Sequence, residues 1–235
     1  MARIFPLGDS ALTVDFGNLI DETVNREVIG LFRRMKEERI PHITDLVPAY
    51  SSLTVHYDVF SIREENPGET AFDYMTRQVE MMLDREDYND LSEGRLVRVP
   101  VCYGGAYGPD LAELAAAKGL SEEEVVRIHS SVRYRVYMIG FLPGFAYMGQ
   151  VNEQISMPRK AQPRTNVAAG SVGIAGRQTG IYPLDSPGGW QVIGRTPLRL
   201  FHAGIENTVL FQPGDMVEFY SMSEHEFENY QGGHS

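Results

Sequence analysis

Cysteine is nearly absent from this 235-residue chain: Cys102 stands alone. One cysteine excludes an internal disulfide framework and any cysteine-rich zinc site. A reducing compartment is the simple expectation, and the chain is expected in the cytoplasm. Cys102 lies in the apolar run Val99-Pro100-Val101-Cys102-Tyr103 and is expected to be buried as a small hydrophobe. Tryptophan occurs once, as Trp190. No apolar run approaches the ~20 residues a membrane helix needs. The opening run Met1-Ala2-Arg3-Ile4-Phe5-Pro6 has neither a long apolar core nor a cleavage site, so neither a secretory leader nor a membrane partner is expected. HxxxH and HExxH pairs, the Gly-Lys-Ser/Thr phosphate loop, the GxGxxG fingerprint and the Gly-x-Ser-x-Gly elbow are all missing. No metal, no cofactor bound by this chain and no serine nucleophile are therefore expected.

Positive charge is scarce as well, with 21 Lys and Arg against 32 Asp and Glu and a net charge of −11. That balance opposes binding to a phosphate backbone, so nucleic acid is not an expected partner. The distribution is uneven. Between Arg133 and Leu200 the basic residues are Arg133, Arg135, Arg159, Lys160, Arg164, Arg177, Arg195 and Arg199, and the acidic ones only Glu153 and Asp185. An acidic protein that gathers arginine in one stretch is expected to hold a small anion there. The alternative is a set of structural arginines paired to carbonyls or distant carboxylates.

What is plentiful is amphipathic pattern. Leu12, Val14 and Phe16 alternate as in a half-buried strand, and so do Leu53, Val55 and Tyr57. Asp21 can cap a helix reaching about Glu38, with Val24, Val28, Leu31 and Met35 as its stripe. Phe72, Met75, Val79, Met82 and Leu83 mark a second helix. This order suggests a split β-α-β or ferredoxin-like unit. The polar segment from Asp84 to Gly94 is the expected linker, dividing a domain of residues 1–93 from one of residues 94–235. Beyond it come a strand from Arg95 to Tyr103, a helix opened by Pro109 and ended by Gly119, and a helix begun by a Ser121/Glu124 capping box. Val125, Val126, Ile128 and His129 should carry its inner face. Ten glycines and five prolines then fall between Gly140 and Gly194. Short β-prone runs separate them: Tyr134 to Ile139, Ser171 to Ala175, Gln191 to Ile193, and farther on Val209 to Phe211. Together with a last strand from Met216 to Tyr220 they read as an antiparallel barrel or sandwich. The tail from Glu224 should fray.

Four constellations can carry chemistry. Pro158-Arg159-Lys160-Ala161-Gln162-Pro163-Arg164 presents two arginines behind prolines, which suits a rigid grip on a carboxylate or phosphate. The glycine-spaced run Ala169 to Gly180 ends on Arg177 and Gln178 and can bring backbone close to a ligand, or can simply be a tightly packed barrel strand. Tyr182 to Trp190, with Asp185 and Ser186, reads as a binding loop, Asp185 being more suited to a turn than to a general base. Phe141 to Gly149 can wall a pocket or bury its aromatics in a turn. His129 is the histidine best placed to donate a proton; its alternative is a core or helix-end role.

Several of these strings resemble one family. Gly8-Asp9-Ser10-Ala11-Leu12, Val99 to Gly105, Val136 to Phe145, Ala169 to Gly176, Ser186-Pro187-Gly188-Gly189-Trp190 and Arg195 to Phe201 are similar to the family of 5-oxoprolinase B subunits, also named the allophanate hydrolase subunit 1 or KipI family. Ala146 and Ala168 stand where the family pattern has proline, which removes local stiffness and no chemical group. The resemblance implies an α+β chain: a small ferredoxin-like α/β N-terminal domain followed by a cyclophilin-like antiparallel β-barrel, with no isomerase activity inferred from the fold. It implies one component of an ATP-dependent, carboxyltransferase-type 5-oxoprolinase that opens 5-oxo-L-proline to L-glutamate. Such a component would be inactive alone. Its partners would be the 5-oxoprolinase C subunit (allophanate hydrolase subunit 2-like) and the A subunit, with ATP used by the assembled complex. Expected roles follow: His129 as proton donor, Arg177 and Gln178 at the lactam, and Arg159, Arg164, Tyr182, Ser186 and Trp190 holding a small anionic substrate. The family also contains an inhibitor of a sensor histidine kinase and components of urea carboxylase and allophanate hydrolase systems, and these remain the alternative readings.

Overall fold

The computed structural model describes residues 2–84, 94–204 and 209–231. It divides into two compact units, Met1–Ser92 and Glu93–Ser235. Most of the expected linker lies outside the described residues.

The first unit runs β1 (Arg3–Pro6), β2 (Ala11–Asp15), α1 (Glu22–Glu38), β3 (Ile43–Pro48), β4 (Ser52–Tyr57), α2 (Val59–Glu65) and α3 (Ala71–Leu83). Its four strands pair antiparallel in the order β1-β2-β4-β3. Because β4 lies between them, β2 and β3 run parallel and α1 joins them, which is the expected split β-α-β with an extra strand in front. Local chemistry sets the helix ends. The Asp21 carboxylate accepts the Thr23 and Val24 N–H groups at 2.8 and 3.1 Å, and α1 stops where Arg39 turns left-handed at φ 48°. Leu12 and Val14, Leu53 and Val55, Val28 and Leu31, and Met75 and Val79 close the core with no exposed surface. The sequence pattern does not reveal β1, β3 or α2. The two strands are sheet edges whose residues are mostly exposed or half-buried. Among the residues of α2, Ile62 is the one fully buried.

The second unit runs β5 (Leu96–Tyr103), α4 (Leu111–Lys118), α5 (Glu122–Ser130), β6 (Arg133–Ile139), β7 (Ala146–Gly149), a 3-10 turn (Glu153–Ile155), β8 (Arg164–Val167), β9 (Ser171–Ala175), β10 (Gln178–Ile181), β11 (Ser186–Gly188), β12 (Gln191–Arg195), β13 (Met216–Ser221) and α6 (Glu224–Glu228). Seven strands close a barrel in the order β10-β7-β6-β13-β5-β12-β9, and β8 and β11 form a separate two-stranded sheet. One pair departs from the antiparallel expectation: β13 runs parallel to β5. These are the first and last strands of the barrel, so the whole intervening chain is available for the long return that a parallel pair requires.

Two other expectations are corrected. Val209 to Phe211 is no strand: Val209 makes a single bridge to Phe201. The tail carries α6, begun by a reciprocal Ser223/Glu226 capping box. The Ser121/Glu124 box is present as expected, with hydrogen bonds of 2.8 and 3.2 Å. Gly119 ends α4 in the left-handed region at φ 67°.

Inside the barrel, Val99, Val101, Tyr134, Val136, Val172, Ile174, Val217 and Phe219 pack together, with Leu114 and Val125 of the two helices closing the cluster. Side chains alternate along a strand, so Gly173 and Gly180 face outward. They are paired across β9 and β10. The Trp190 ring lies over them: a Cβ at Gly173 would sit 3.0 Å from the Trp190 Cβ, and one at Gly180 3.1 Å from its Cζ3. Around it an outer core gathers Phe145, Val167, Ala175, Tyr182 and Val192. Glycine is required here by volume, since a side chain would displace the indole.

His129, at the end of α5, belongs to the inner core with no exposed surface. The Thr179 hydroxyl donates to Gly173 O at 3.0 Å, so it accepts from His129 Nε2 at 3.0 Å. His129 Nδ1 then accepts from the Tyr103 hydroxyl at 2.9 Å, which fixes the tautomer. Burial pushes the imidazole pKa from 6.5 down to about 3. The residue nominated as proton donor is thus held inside the barrel core, with both ring nitrogens bonded to protein hydroxyls.

The unfolded chain protonates His129 below about pH 6.5 and the folded chain does not, so stability is lost as pH falls through that window. Urea unfolding between pH 7 and pH 4 is expected to show a stability loss approaching ~1.4 kcal/mol per pH unit from this group. His129→Gln should flatten that part of the profile. An unchanged slope in a folded variant would contradict the assignment.

Candidate functional site

The Pro-Arg segment is built around a carboxylate that no motif announces. Asp110 precedes α4 and is 1% exposed, and its side chain makes no cap bond to the helix. Its Oδ2 accepts the Val192 N–H at 2.7 Å, and its Oδ1 takes Arg164 Nη2 and, at 2.9 Å, Lys160 Nζ. Lys160 reaches Glu113 as well, at 2.9 Å, while its N–H donates to Gly189 O at 2.7 Å. Gln191 Nε2 donates to Pro158 O at 2.8 Å. Burial raises the Asp110 pKa, but the hydrogen bonds from Arg164, Lys160 and Val192 outweigh it and hold the carboxyl below its ordinary value. The same contacts raise the Lys160 pKa, the Asp110 bond contributing most. The segment expected to grip a ligand is thus partly committed to an internal anion.

The structure separates the residues nominated from sequence. Arg164 spends one guanidinium edge on Asp110; its Nη1 is buried without a partner among the described residues. Arg159 is exposed and stands 5.9 Å from the Trp190 ring centroid. Arg177 is exposed on the turn between β9 and β10, its carbonyl accepting the Val151 N–H at 2.8 Å. Gln178 is half-buried beside it. Tyr182 and Trp190 are 1% and 4% exposed: the expected pocket wall is the outer core, and Phe145 meets each ring edge-on at 5.3 and 5.4 Å. Ser186 is also buried, its Oγ unpartnered among the described residues. Tyr182 and Trp190 thus sit together in the outer core, apart from the exposed Arg159 and Arg177. Ser186 is enclosed, whereas the Arg164 side chain stays about a third exposed with its Nη1 turned inward.

A cavity of about 710 Å³ opens at the other end of the same strands. It is lined by Gly170 before β9, Pro183 and Leu184 after β10, and Arg195 to Arg199 at and after the end of β12, with Phe201, Ala203 and Phe227. Its charged lining residues are Arg195 and Arg199, and neither forms an ion pair among the described residues. Strand β9 separates it from Arg177 by roughly 20 Å of extended backbone, so one small ligand meets one place or the other. The arginine count points to this stretch, but it does not rank Arg195 and Arg199 above the rest. What sets them apart from Arg164 is the lack of a carboxylate partner among the described residues, a property they share with Arg159 and Arg177 and one that only the fold reveals.

Removing the Asp110 charge leaves Arg164 and a buried N–H without an acceptor and Lys160 with Glu113 alone. Asp110→Ala is expected to destabilise the second unit by about 3 kcal/mol, read as a lower urea midpoint at unchanged m-value. A loss below about 0.5 kcal/mol would show that the node contributes little.

Residues 2–211 match the family model described as carboxyltransferase domain, subdomain C and D. The chain is 44% identical over 233 residues to the 5-oxoprolinase B subunit of Bacillus subtilis (strain 168), covering 97% of this chain and 96% of that protein. It is 40% identical over 223 residues to the 5-oxoprolinase B subunit of Escherichia coli O157:H7, covering 95% and 97%. The crystal structure of TTHA0988 superposes with a TM-score of 0.78 at 35% identity, covering 95% of this chain and 41% of that one. The chain thus spans about two fifths of TTHA0988. With full-length identity at this level and a domain model matching residues 2–211, the chain belongs to the family of the 5-oxoprolinase B subunits.

Proposed function

We propose that this chain is the B-type component of an ATP-dependent 5-oxoprolinase, working with partner subunits to open the lactam of 5-oxo-L-proline to L-glutamate. One observation carries the reading: 44% identity to such a protein over almost the full length of both chains. The chemistry is compatible with what the sequence holds. Ring opening adds water across an amide that resonance protects, and coupling it to ATP hydrolysis needs a site for the nucleotide. This chain has no glycine-rich phosphate loop ending in Gly-Lys-Ser/Thr. The nucleotide site is therefore assigned to a partner of A or C type.

The chain itself would supply groups for the acid substrate. Negative charge grows at the lactam carbonyl as water attacks, and guanidinium groups without internal carboxylates are suited to oppose it. Arg159, Arg177, Arg195 and Arg199 meet that condition among the described residues, whereas Arg164 does not.

The assay is 5-oxoproline-dependent ATP hydrolysis, run on the purified chain and on the chain co-purified with its A-type and C-type partners. Activity is expected in the assembled set and absent from the chain alone. A stable set with ATP turnover that ignores 5-oxoproline would overturn the substrate, and activity of the chain alone would overturn its dependence on partners.

A further inference from the structure

We infer that the cavity at the β9–β12 end of the barrel is a binding site for a small carboxylate, with Arg195 and Arg199 as the groups that hold its charge. Chain connectivity builds the site. Gly170 turns left-handed at φ 83°, and a Cβ there would lie 2.3 Å from Thr196 O, so two backbone segments can cross beneath the opening. The Thr196 N–H donates to Gly170 O at 2.9 Å and the Gly170 N–H to Tyr182 O at 2.7 Å, which ties the floor to both neighbouring strands.

Arg195 is held in place by a short relay. The Asp185 carboxylate accepts the Ala169 N–H at 2.7 Å, and the Ala169 carbonyl accepts Arg195 Nε at 2.7 Å. That bond occupies the inner edge of the guanidinium and leaves both Nη groups without a protein acceptor among the described residues. Arg199 is exposed on the same lining and has no partner at all among the described residues. No acidic side chain lines the cavity among the described residues. Leu184, Phe201 and Phe227 supply apolar wall, the last tilted against the Tyr107 ring at 4.4 Å between centroids.

Two guanidinium groups in an otherwise apolar cavity fit a compact body bearing one carboxylate. A volume of about 710 Å³ accommodates a ligand the size of a five-membered ring acid with room to spare. In a chain of net charge −11, two cations without an ion pair among the described residues are a local departure that ordinary solubility does not call for. The identification of the ligand as 5-oxoproline rests on the function proposed above; the carboxylate site itself does not.

The test is calorimetric titration of the full chain, and of the co-purified set, with 5-oxo-L-proline, its carboxamide analogue, cyclopentanecarboxylate and inorganic phosphate. The carboxylates should bind saturably and the carboxamide at least tenfold more weakly. Arg199→Gln, an exposed site whose replacement costs no internal bond, should weaken carboxylate binding at least tenfold, and Arg195→Gln likewise. Arg98→Gln, a surface cation on β5 paired with Glu218, should leave it unchanged. Cyclopentanecarboxylate binding that depends on Arg199 without 5-oxoproline binding would keep the site and remove the lactam reading. Equal 5-oxoproline binding by folded Arg199→Gln and Arg195→Gln would remove the site and keep the lactam reading. Tighter binding of phosphate than of either carboxylate, or no Arg199-dependent binding in chain or set, would overturn the inference.

Discussion

The barrel unit depends on one buried carboxylate. Asp110 receives a lysine and an arginine from the Pro-Arg segment and a backbone N–H from strand β12, and so joins both to the start of α4 at a single point. A charge with 1% exposure survives there because its partners replace the water it gave up. The contact has a functional side. By engaging Arg164 and Lys160 it separates structural cations from those without an ion pair among the described residues, the groups the proposed function draws on.

That sorting explains what the sequence could and could not disclose. Helices α1 and α5 were legible because their signals are local: Asp21 and the Ser121/Glu124 pair lie within a turn of the groups they satisfy. Strands β2, β4 and β9 were legible because one face of each is steadily apolar. Edge strands β1 and β3 show no such alternation. The short strands β10 and β11 follow from register and not from composition, and Gly180 even replaces a side chain where Trp190 needs the space.

The site was less legible than the fold, for the same reason. Arg164 and Asp110 are far apart in the chain, and nothing in either neighbourhood foretells the pair. His129 draws attention as a helix-end histidine, but Tyr103 and Thr179 close over it from two different strands. Trp190 looks like a binding-loop aromatic because its flanks are glycine and proline; those residues instead let backbone pass close to the rings, as Gly188 does against Tyr182. Motifs point to the right stretch of chain and do not tell which of its side chains are spoken for.

The parallel pairing of β5 with β13 has a consequence for biosynthesis. The barrel's first strand leaves the ribosome early, and the neighbour that covers one of its edges is the last strand to be made. Until Met216 to Ser221 emerge, β5 and β6 each keep a row of backbone donors and acceptors that β13 would otherwise occupy. A nascent chain in that state is open to pairing with other strands, and its closure waits on a contact of long sequence separation. Production of this protein is thus most exposed to aggregation late in translation.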